Sequence, residues 1–441
     1  LFEQLGEFFR QYFFAMDREE MPFNRAERSW VYRAAKGVDN TVAFGSTRDL
    51  RPVGTVLFVN TPFPILDEAR EPVSEITIGR ECSQPYTTSA LINISAMSFG
   101  ALSKPAIEAL SRGAAKAGVW LNTGEGGLSE AHLAGNADIV FQIGTAKYGV
   151  RTPEGKLDER KLAAIAARDQ VKMFEIKISQ GAKPGKGGIV PGVKVTPEVA
   201  EVRGIPVGKD SISPNRHREL VTSEDLLDMI ARIREVTGKP VGFKVVLGMS
   251  GWVTDLFRRV VERDCHGAPD FITVDGGEGG TGAAPMPLMD NVGMSIRESL
   301  PFLVDELTRA GLKDRVKVIA SGKLITPVDV AWALCTGADF VNTARGSMFA
   351  LGCVQAMQCN KNTCPTGITT HEPDLQKGLD PIEKGGRVAG YFSQLVREVE
   401  IIAHSVGVRE PRKLRRHHAR IMTQDGRSRP LSELWPYVDE Q

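Results

Sequence analysis

The stretch RVKVIASGKLITPVDVAWALCTGADFVNTARGSM, residues 315–348, carries the pattern that decides the fold. It opens with an apolar, β-branched run and continues through a glycine-containing turn into a helical segment bounded by Thr326 and Gly337. It closes with a second apolar run of strand length. A Thr at the start of a helix and a Gly after its end are typical boundary signals. The stretch therefore predicts a strand–helix–strand unit.

The same unit recurs from about residue 90. The eight apolar runs are ALINISA, VWLNT, DIVFQI, MFEIKI, VGFKVV, DFITVD, RVKVIA and DFVNTA. Between them, SKPAIEALSRGAAKAG and SEDLLDMIARIREVTG predict two further helices. Eight near-continuous apolar strands that alternate with helices favour an α/β fold, a (β/α)8 TIM barrel, over an open sheet. The loops after the carboxyl ends of the strands are then the place to look for functional groups.

Three segments are predicted. Residues 1–85 form an N-terminal extension, residues 86–405 form the barrel with a Cys-rich loop after the last strand, and residues 406–441 form a basic C-terminal extension. Within the extension, LFEQLGEFFRQYFFAMD and NRAERSWVYRAAKG have helical spacing, and we expect them to pack on the barrel instead of binding a partner or a membrane surface. TVLFVN and EITIG predict short strands.

The composition is that of an ordinary globular chain. It has 441 residues, is 42% hydrophobic and 25% charged, and carries a formal net charge of +1, so no overall field attracts nucleic acid. The basic run RKLRRHHAR, residues 412–420, is interpreted as a solvated tail or docking patch. No apolar stretch approaches the ~20 residues of a membrane span. A cytoplasmic protein is expected, with a membrane anchor upstream of Leu1 left open.

Two loops at the predicted catalytic face favour a phosphate-bearing cofactor. They follow the seventh and eighth strands, where exposed backbone N–H groups and helix N-termini usually receive phosphate in TIM barrels. The candidate residues are Ser321, Gly322, Lys323, Ala344, Arg345 and Gly346. The stretch DGGEGGTGAAP, which contains Gly280 and Thr281, follows the sixth strand. It is interpreted as a further cofactor contact, with a flexible lid as the alternative.

Charged side chains accompany the same face. Lys244 lies inside the fifth apolar run, where an ammonium is costly to bury without a negative partner. That partner is either the N1–C2=O edge of a reduced flavin or a carboxylate on a neighbouring strand. After the fourth strand, KISQGAKPGKGGIVPGVKV contains Gln180, Lys183, Lys186 and Lys194. These donors favour an anionic substrate, and lysines on a solvated loop are the alternative.

Three of the six cysteines cluster in one loop. Cys353, Cys359 and Cys364 are separated by five and four residues and Pro365 follows, which differs from the paired spacing of zinc ribbons. The pattern resembles iron–sulfur ligation by three thiolates. The other cysteines, interpreted as buried thiols, are Cys82, Cys265 and Cys335. Of these, Cys82 is the one candidate for a distant fourth ligand.

Several strings between about residues 90 and 370 resemble the FMN-binding synthase domain of glutamate synthases, in the family's order. They are SAMSFGALSK, LNTGEGG, QGAKPGKGGIVPGVKV, AEVRG, SISPNRH, GGTGAAP and CVQAMQCNKNTCPTGITT. The resemblance implies a stand-alone glutamate synthase-like enzyme with FMN across the barrel mouth, a [3Fe-4S] cluster on the three cysteines, and 2-oxoglutarate near the flavin.

The resemblance also implies roles for individual residues. Gln180, Lys183 and Arg203 are implied to hold the carboxylates and keto oxygen of the substrate. Ser98, Gln142 and Lys244 are implied to contact the flavin. Glu125, in the TGEGG loop, is implied to couple the arrival of ammonia to synthesis, so Glu125, Lys183 and Gln180 are the catalytic candidates.

The implied reaction joins ammonia to 2-oxoglutarate to give 2-iminoglutarate, which reduced FMN reduces to glutamate. The chain shows neither the N-terminal glutamine-hydrolysing cysteine nor the β-helical domain of the large family enzymes, and it has no GxGxxG on a strand–turn–helix. Electrons are therefore expected from ferredoxin or another donor protein, and ammonia from elsewhere, such as a separate glutaminase-type subunit. Two alternatives stay open: a flavoenzyme for another amino or keto acid, including N-substituted glutamate synthesis, and an electron-transfer subunit.

Overall fold

The structure is a computed structural model that describes residues 20–438 and Gly6. Its strands are β1 Val56–Phe58, β2 Ile76–Ile78, β3 Tyr86–Thr88, β4 Ile92–Ile94, β5 Leu121–Asn122, β6 Ile139–Ile143, β7 Val171–Lys177, β8 Ile189–Val190, β9 Ser211–Ile212, β10 Val241–Val245, β11 Phe271–Asp275, β12 Lys317–Ser321, β13 Phe340–Thr343, β14 Ala419–Met422 and β15 Ser428–Pro430. Its α-helices are α1 Arg25–Ala35, α2 Lys104–Ala117, α3 Glu130–Leu133, α4 Glu159–Ala166, α5 Pro197–Arg203, α6 Ser223–Thr237, α7 Ser250–Glu262, α8 Met286–Met289, α9 Ile296–Arg309, α10 Pro327–Thr336, α11 Arg345–Leu351, α12 Pro373–Gln376, α13 Pro381–Ser405 and α14 Leu431–Leu434.

Eight parallel strands close into a barrel in the order β4, β5, β6, β7, β10, β11, β12, β13. The barrel closes where β13 pairs with β4, with Val341 opposite Ile92. Each of these strands overlaps one of the eight predicted runs, so the predicted TIM barrel is confirmed. Helices cover the strands because both faces of a parallel sheet must be buried.

The helix boundaries follow the capping residues. The Ser103 hydroxyl accepts a hydrogen bond from the Ala106 N–H at the start of α2, and α2 ends at Gly118 in the left-handed conformation. A reciprocal capping box of Thr326 and Asp329 begins α10. Helix α6 begins at Ser223, as the segment SEDLLDMIARIREVTG predicts, and Thr222 is its N-cap. Local hydrogen bonding, which is visible in the sequence, thus fixes these ends.

A plug of large apolar side chains fills the end of the barrel where the strands begin. The hairpin β2–β3 supplies Ile78 and Tyr86, and Trp120 and Phe340 pack beside them with ring centroids 5.0 Å apart. Further members of this cluster are Val140, Met173, Phe271 and Ile319. Because this end is filled, the opposite end, where the strands finish, is the one open to a ligand.

The N-terminal extension packs on the barrel through α1. An Asn24–Glu27 capping box begins the helix. The rings of Phe23 and Tyr32 meet the edge of Phe349, with centroids 5.4 and 6.0 Å away. This is the packing that the second N-terminal segment predicts, whereas the first, LFEQLGEFFRQYFFAMD, lies outside the described residues apart from Gly6.

The interpretation of the basic run at residues 412–420 as a solvated tail is wrong. Strand β14 pairs with β1, so a strand before the barrel and a strand after it share one sheet. Arg412 donates to the backbone oxygens of Ala90, two residues before β4, and Asp339, the residue before β13. Arg416 is buried and forms an ion pair with Asp305. The run is basic because its guanidinium groups satisfy carbonyl and carboxylate oxygens of the barrel.

Replacing Arg416 with methionine is expected to lower the free energy of unfolding by about 3–5 kcal/mol, because it leaves the buried Asp305 carboxylate without its partner. Chemical denaturation followed by circular dichroism measures this loss. The matched control is Arg415→Met, since Arg415 is exposed and donates only to nearby backbone oxygens. Equal stabilities of the two variants would show that the Arg416 ion pair does not hold the C-terminal segment.

No helix within the described part of the chain is both long enough and apolar enough to span a bilayer.

Candidate functional site

A cleft of about 1020 Å³, partly open to solvent, lies at the end of the barrel where the strands finish. Thirteen of the predicted site residues line it: Ser98, Glu125, Gln142, Gln180, Lys183, Arg203, Lys244, Gly280, Thr281, Ser321, Ala344, Arg345 and Cys359. Residues predicted to bind a cofactor, a substrate and a cluster therefore share one cleft.

One side of the cleft carries a concentrated positive charge. Lys177, Lys183 and Arg203 are all buried, and Lys177 Nζ lies 2.9 Å from the Glu125 carboxylate. Lys177 also donates to the Gln180 side-chain oxygen. Three cations around one carboxylate leave an excess of positive charge, which suits an anionic ligand.

The same charges set the pKa values of the site. Burial alone would raise the pKa of Glu125, but Lys177, Lys183 and Arg203 outweigh burial and hold it below its usual value. Burial and the nearby charges of Lys177 and Lys186 together lower the pKa of Lys183 to about 8, with Glu125 partly offsetting them. Glu125 is therefore ionised at neutral pH. Lys183 loses its proton, and with it its positive charge, at a pH slightly above neutral.

Arg203 is placed by the end of α5. Its Nη1 donates to Ser211 Oγ at 3.0 Å and its Nη2 to the Phe99 backbone oxygen at 3.0 Å. The guanidinium lies 5.1 Å from the centre of the Tyr148 ring. Arg203 Nε is buried and has no hydrogen-bond partner in the described part of the chain. A rigid, incompletely paired guanidinium at a cleft wall can donate to a ligand carboxylate.

Small residues make room for the Glu125 side chain. Glu125 sits in a 3-10 turn, Gly124–Gly126, directly after β5. A Cβ at Gly188 would overlap a Glu125 carboxylate oxygen, and one at Gly144 would lie 2.5 Å from Glu125 Cβ. The glycines of the loops after β6 and β7 therefore permit a carboxylate among the cations at this position.

Lys244 forms an ion pair with a carboxylate on a neighbouring strand and also lines the cleft. Its Nζ lies 3.2 Å from Asp275 Oδ2, so the ion pair considered for it is present. Asp275 also accepts hydrogen bonds from Gly181 N–H at 2.8 Å and Ser321 Oγ at 3.0 Å. Burial alone would lower the pKa of Lys244, but Asp275 and Glu175 outweigh it and raise it. Lys244 is therefore a cation that also lines the cleft.

The two proposed phosphate loops reach the cleft only in part. Arg345 Nη2 donates to the Thr281 backbone oxygen at 2.5 Å, which joins the loops after β11 and β13. A Cβ on Gly322 would contact Gly276, a Cβ on Gly346 would clash with Tyr391, and Lys323 Nζ lies 5.7 Å from the Phe23 ring centre. These three predicted residues therefore do not line the cleft, although Ser321, Ala344 and Arg345 beside them do.

The lysines of the loop after β7 divide between the two interpretations made from sequence. Lys186 is exposed, as expected for a solvated loop, whereas Lys183 is buried at the cleft. Lys194 is buried elsewhere and donates to the backbone oxygens of Ala101, at 2.6 Å, and Cys359, at 3.2 Å. Lys194 thus holds the Cys-rich loop and does not line the cleft.

The Cys-rich loop borders the cleft through Cys359. Burial and the nearby thiols of Cys359 and Cys364 raise the pKa of Cys353 to about 12. Burial would also raise the pKa of Cys364, but hydrogen bonds with Thr366 and Thr369 outweigh it and lower that pKa. Over residues 20–438, no three His, Cys, Asp or Glu side chains converge as ligands of a single metal ion.

The remaining cysteines lie elsewhere. Cys82 is at the end of the barrel where strands begin, with its Sγ 3.6 Å from Asp270 Oδ2, so it cannot be the distant fourth ligand. Cys335 is buried in α10 as predicted, and Cys265 is only partly buried.

Sequence reasoning missed Lys177, Glu175 and Asp275. All three are charged residues near the ends of otherwise apolar strands, at alternate positions that point into the barrel. A buried charge in an apolar strand requires a partner, so this pattern was the available signal.

Comparison with known proteins gives a consistent result. A profile of the family described as "Conserved region in glutamate synthase" matches residues 61–409. The glutamate synthase large subunit-like protein YerD of Bacillus subtilis is 39% identical, over 97% of this chain and 88% of that protein. The archaeal glutamate synthase [NADPH] of Methanocaldococcus jannaschii is 33% identical, over 75% of this chain and 61% of that protein. The chain thus spans about three fifths of the archaeal enzyme's length.

Solved structures share the fold at much lower identity. A mutant of an active chimera of (S)-mandelate dehydrogenase superposes with a TM-score of 0.52 and 14% identity, over 82% of this chain and 87% of that one. Flavocytochrome b2 with sulfite bound gives a TM-score of 0.50 and 13% identity, over 89% and 82%. These similarities concern the barrel architecture alone.

Proposed function

This chain belongs to the glutamate synthase family, a family of oxidoreductases, and from that premise we propose that it forms glutamate from 2-oxoglutarate and ammonia with FMN and a [3Fe-4S] cluster. The observation that carries the proposal is the group of buried cations at the cleft, Lys177, Lys183 and Arg203. Their charge exceeds that of Glu125, and a dicarboxylate supplies the missing negative charge.

The residues of the cleft fit FMN. Ser98, Gln142 and Lys244 would contact the flavin ring, and the cationic Lys244 suits a ring edge that becomes negative on reduction. Gly280, Thr281, Ser321, Ala344 and Arg345 would hold the phosphate side, where Arg345 supplies a cation. We expect the loops of Gly322, Lys323 and Gly346 to contribute at most backbone contacts there. When bound, FMN would supply hydride transfer to a carbon atom.

The residues of the Cys-rich loop fit an iron–sulfur cluster. Cys353, Cys359 and Cys364 would each bind a different iron, so convergence on a single metal ion is not required. The hydrogen bonds from Thr366 and Thr369 that lower the pKa of Cys364 would equally stabilise a cluster-bound thiolate. The cluster would supply one-electron transfer.

Different side chains of the cleft would bind different parts of the two substrates. Arg203 would bind one substrate carboxylate, and Gln180 and Lys183 would hold the other polar end, including the keto oxygen, whose polarisation makes the attached carbon more electrophilic. The ionised Glu125 carboxylate would accept a hydrogen bond from the incoming ammonia or ammonium and hold its nitrogen beside the keto carbon.

Two partners follow from the proposal. Electrons would come from ferredoxin or another donor protein, and ammonia from solution or a separate glutaminase-type subunit. The proximity of Cys359 to the cleft supports delivery of electrons through the Cys-rich loop.

Purified protein supplied with 2-oxoglutarate, ammonium and chemically reduced ferredoxin is expected to form glutamate, detected by mass spectrometry. Omitting ferredoxin is the control for non-enzymatic reduction. Parallel reactions with other keto acids, or with methylamine in place of ammonium, test the alternative substrates. No glutamate from protein with intact flavin and cluster would contradict the proposal.

Affinity for 2-oxoglutarate is expected to fall as the pH rises through about 8, because Lys183 loses the charge that binds the substrate. Lys183 is protonated below that pH, so the form of the protein that binds 2-oxoglutarate tightly is the one present at lower pH. The dissociation constant measured from pH 6.5 to 9.5 checks this, and in Lys183→Arg the fall should disappear from that range. A fall that persists in Lys183→Arg would assign it to another group.

A further inference from the structure

The floor of the cleft contains a buried carboxylate that none of the proposed roles uses. Glu175 lies on β7, is 1% exposed and points into the barrel. It accepts hydrogen bonds from three side chains on three other strands: Asn122 Nδ2 at 2.8 Å, Gln142 Nε2 at 2.6 Å and Thr273 Oγ1 at 2.6 Å. Glu175 itself is absent from the cleft wall, whereas Gln142 is part of it.

The chemistry of Glu175 dictates how the neighbouring amides are turned. An ionised carboxylate only accepts hydrogen bonds, so each amide that faces it must present its NH2 group. Asn122 shows the consequence, since its other end, Oδ1, accepts the Gly124 N–H at 2.9 Å and thereby holds the turn that carries Glu125. Gln142 is held in the same way, because its Nε2 is engaged by Glu175.

The other end of Gln142 is free for a ligand. Gln142 Oε1 accepts no hydrogen bond from any other residue within the described part of the chain, and the side chain lines the cleft. A carbonyl oxygen that faces the cleft and accepts no hydrogen bond from the protein is available to a donor group of a ligand. Ionised 2-oxoglutarate has no N–H or O–H to donate. The oxidised flavin ring, which Gln142 is proposed to contact, has a single N–H, its imide N3–H.

We propose that Glu175 is a positioning residue that turns the Gln142 carbonyl oxygen into the cleft to accept the imide N–H of the flavin. This inference rests on the proposed binding of FMN and adds the residue that orients its contact. Because the hydrogen bond favours the protonated imide, it raises the pH at which the imide of bound FMN ionises.

Two substitutions of Glu175 distinguish the effect of side-chain length from the effect of charge. Glu175→Asp keeps the charge but withdraws the carboxylate by one methylene, and Glu175→Gln keeps the length and one acceptor oxygen but removes the charge. Glu175→Asp and Gln142→Met are both expected to lower the pH of imide ionisation, read from the absorbance spectrum, and to weaken FMN binding roughly three- to tenfold. Glu175→Gln is expected to stay within about twofold of the wild type.

Combining Glu175→Asp with Gln142→Met should weaken FMN binding no further than Gln142→Met alone, because both substitutions remove the same contact, that of the Gln142 side chain with the flavin imide. Thr273→Val is the matched control, because it removes a donor to the other oxygen of the same carboxylate and Thr273 does not line the cleft. It should lower thermal stability and leave the imide ionisation unchanged.

Three results would overturn the inference. Glu175→Gln could be as defective as Glu175→Asp, which would indicate a charge effect through Lys244. The losses in the double variant could be additive, or Thr273→Val could shift the imide ionisation as much as Glu175→Asp does. Wild-type protein that binds FMN while Glu175→Asp changes nothing would remove this inference alone. Wild-type protein that does not bind FMN would remove the proposed function with it.

Discussion

Replacing Cys364 with serine is expected to abolish the iron–sulfur cluster, so that iron falls from about three atoms per chain to a small fraction of one. A serine hydroxyl is a poor ligand for iron, and Cys364 is the cysteine of the loop whose thiolate the surrounding hydrogen bonds stabilise. Iron analysis and loss of the broad visible absorbance measure the effect. FMN should remain bound, because its proposed contacts lie on the barrel strands and loops.

The control for that experiment is Cys265→Ser. Cys265 is a free, partly buried thiol outside the Cys-rich loop, and its replacement should leave the iron content unchanged. Full iron content in Cys364→Ser, or zinc instead of iron in the wild type, would contradict the cluster. Parallel losses in both variants would point to general instability of the protein.

Replacing Arg203 with methionine is expected to raise the KM for 2-oxoglutarate by about 100-fold, equivalent to ~3 kcal/mol, since it removes charge-assisted hydrogen bonds to a carboxylate. Initial rates at saturating ammonium and reduced ferredoxin give the KM, and FMN content measured on the same sample shows whether the cleft is intact. Arg203→Lys should recover only part of the loss, because an ammonium cannot reproduce the planar array of donors that Ser211 and Phe99 position.

The matched control is Lys186→Met, which removes an exposed cation that lies outside the cleft, in the glycine-rich loop after β7. Its KM should stay near that of the wild type. An unchanged KM in Arg203→Met would assign substrate binding to other residues, and equal increases in both variants would indicate a long-range effect of net charge.

The barrel could be predicted because its evidence is local. Apolar strand-length runs, Thr or Ser caps and glycine ends are each read within one unit of sequence, as at Thr326 and Gly337, and the eight units add up to a closed parallel sheet. Local evidence failed at the C-terminus, where a run of arginines has the composition of a solvated tail. Arg412 and Arg416 instead meet oxygens that lie far away in the chain.

The location of the candidate site was predicted from the sequence, but the contacts within it were not. The sequence indicated which loops carry functional groups, and thirteen predicted residues do line one cleft. It did not indicate the partners that hold those residues, such as Asp275 for Lys244 or Lys177 for Glu125. Such pairs join different strands, so only the closed barrel brings them together.

By itself, therefore, the sequence determined the fold class, the barrel face that carries the candidate site and the loop that carries the three cysteines, since periodicity, capping and spacing act over short stretches of chain. The tertiary structure alone decided which charges are paired and which remain available to a ligand. Glu175 illustrates the reason, because its three partners come from three other strands. The direction of a buried amide depends on all the groups around it, and folding assembles these groups from distant parts of the chain.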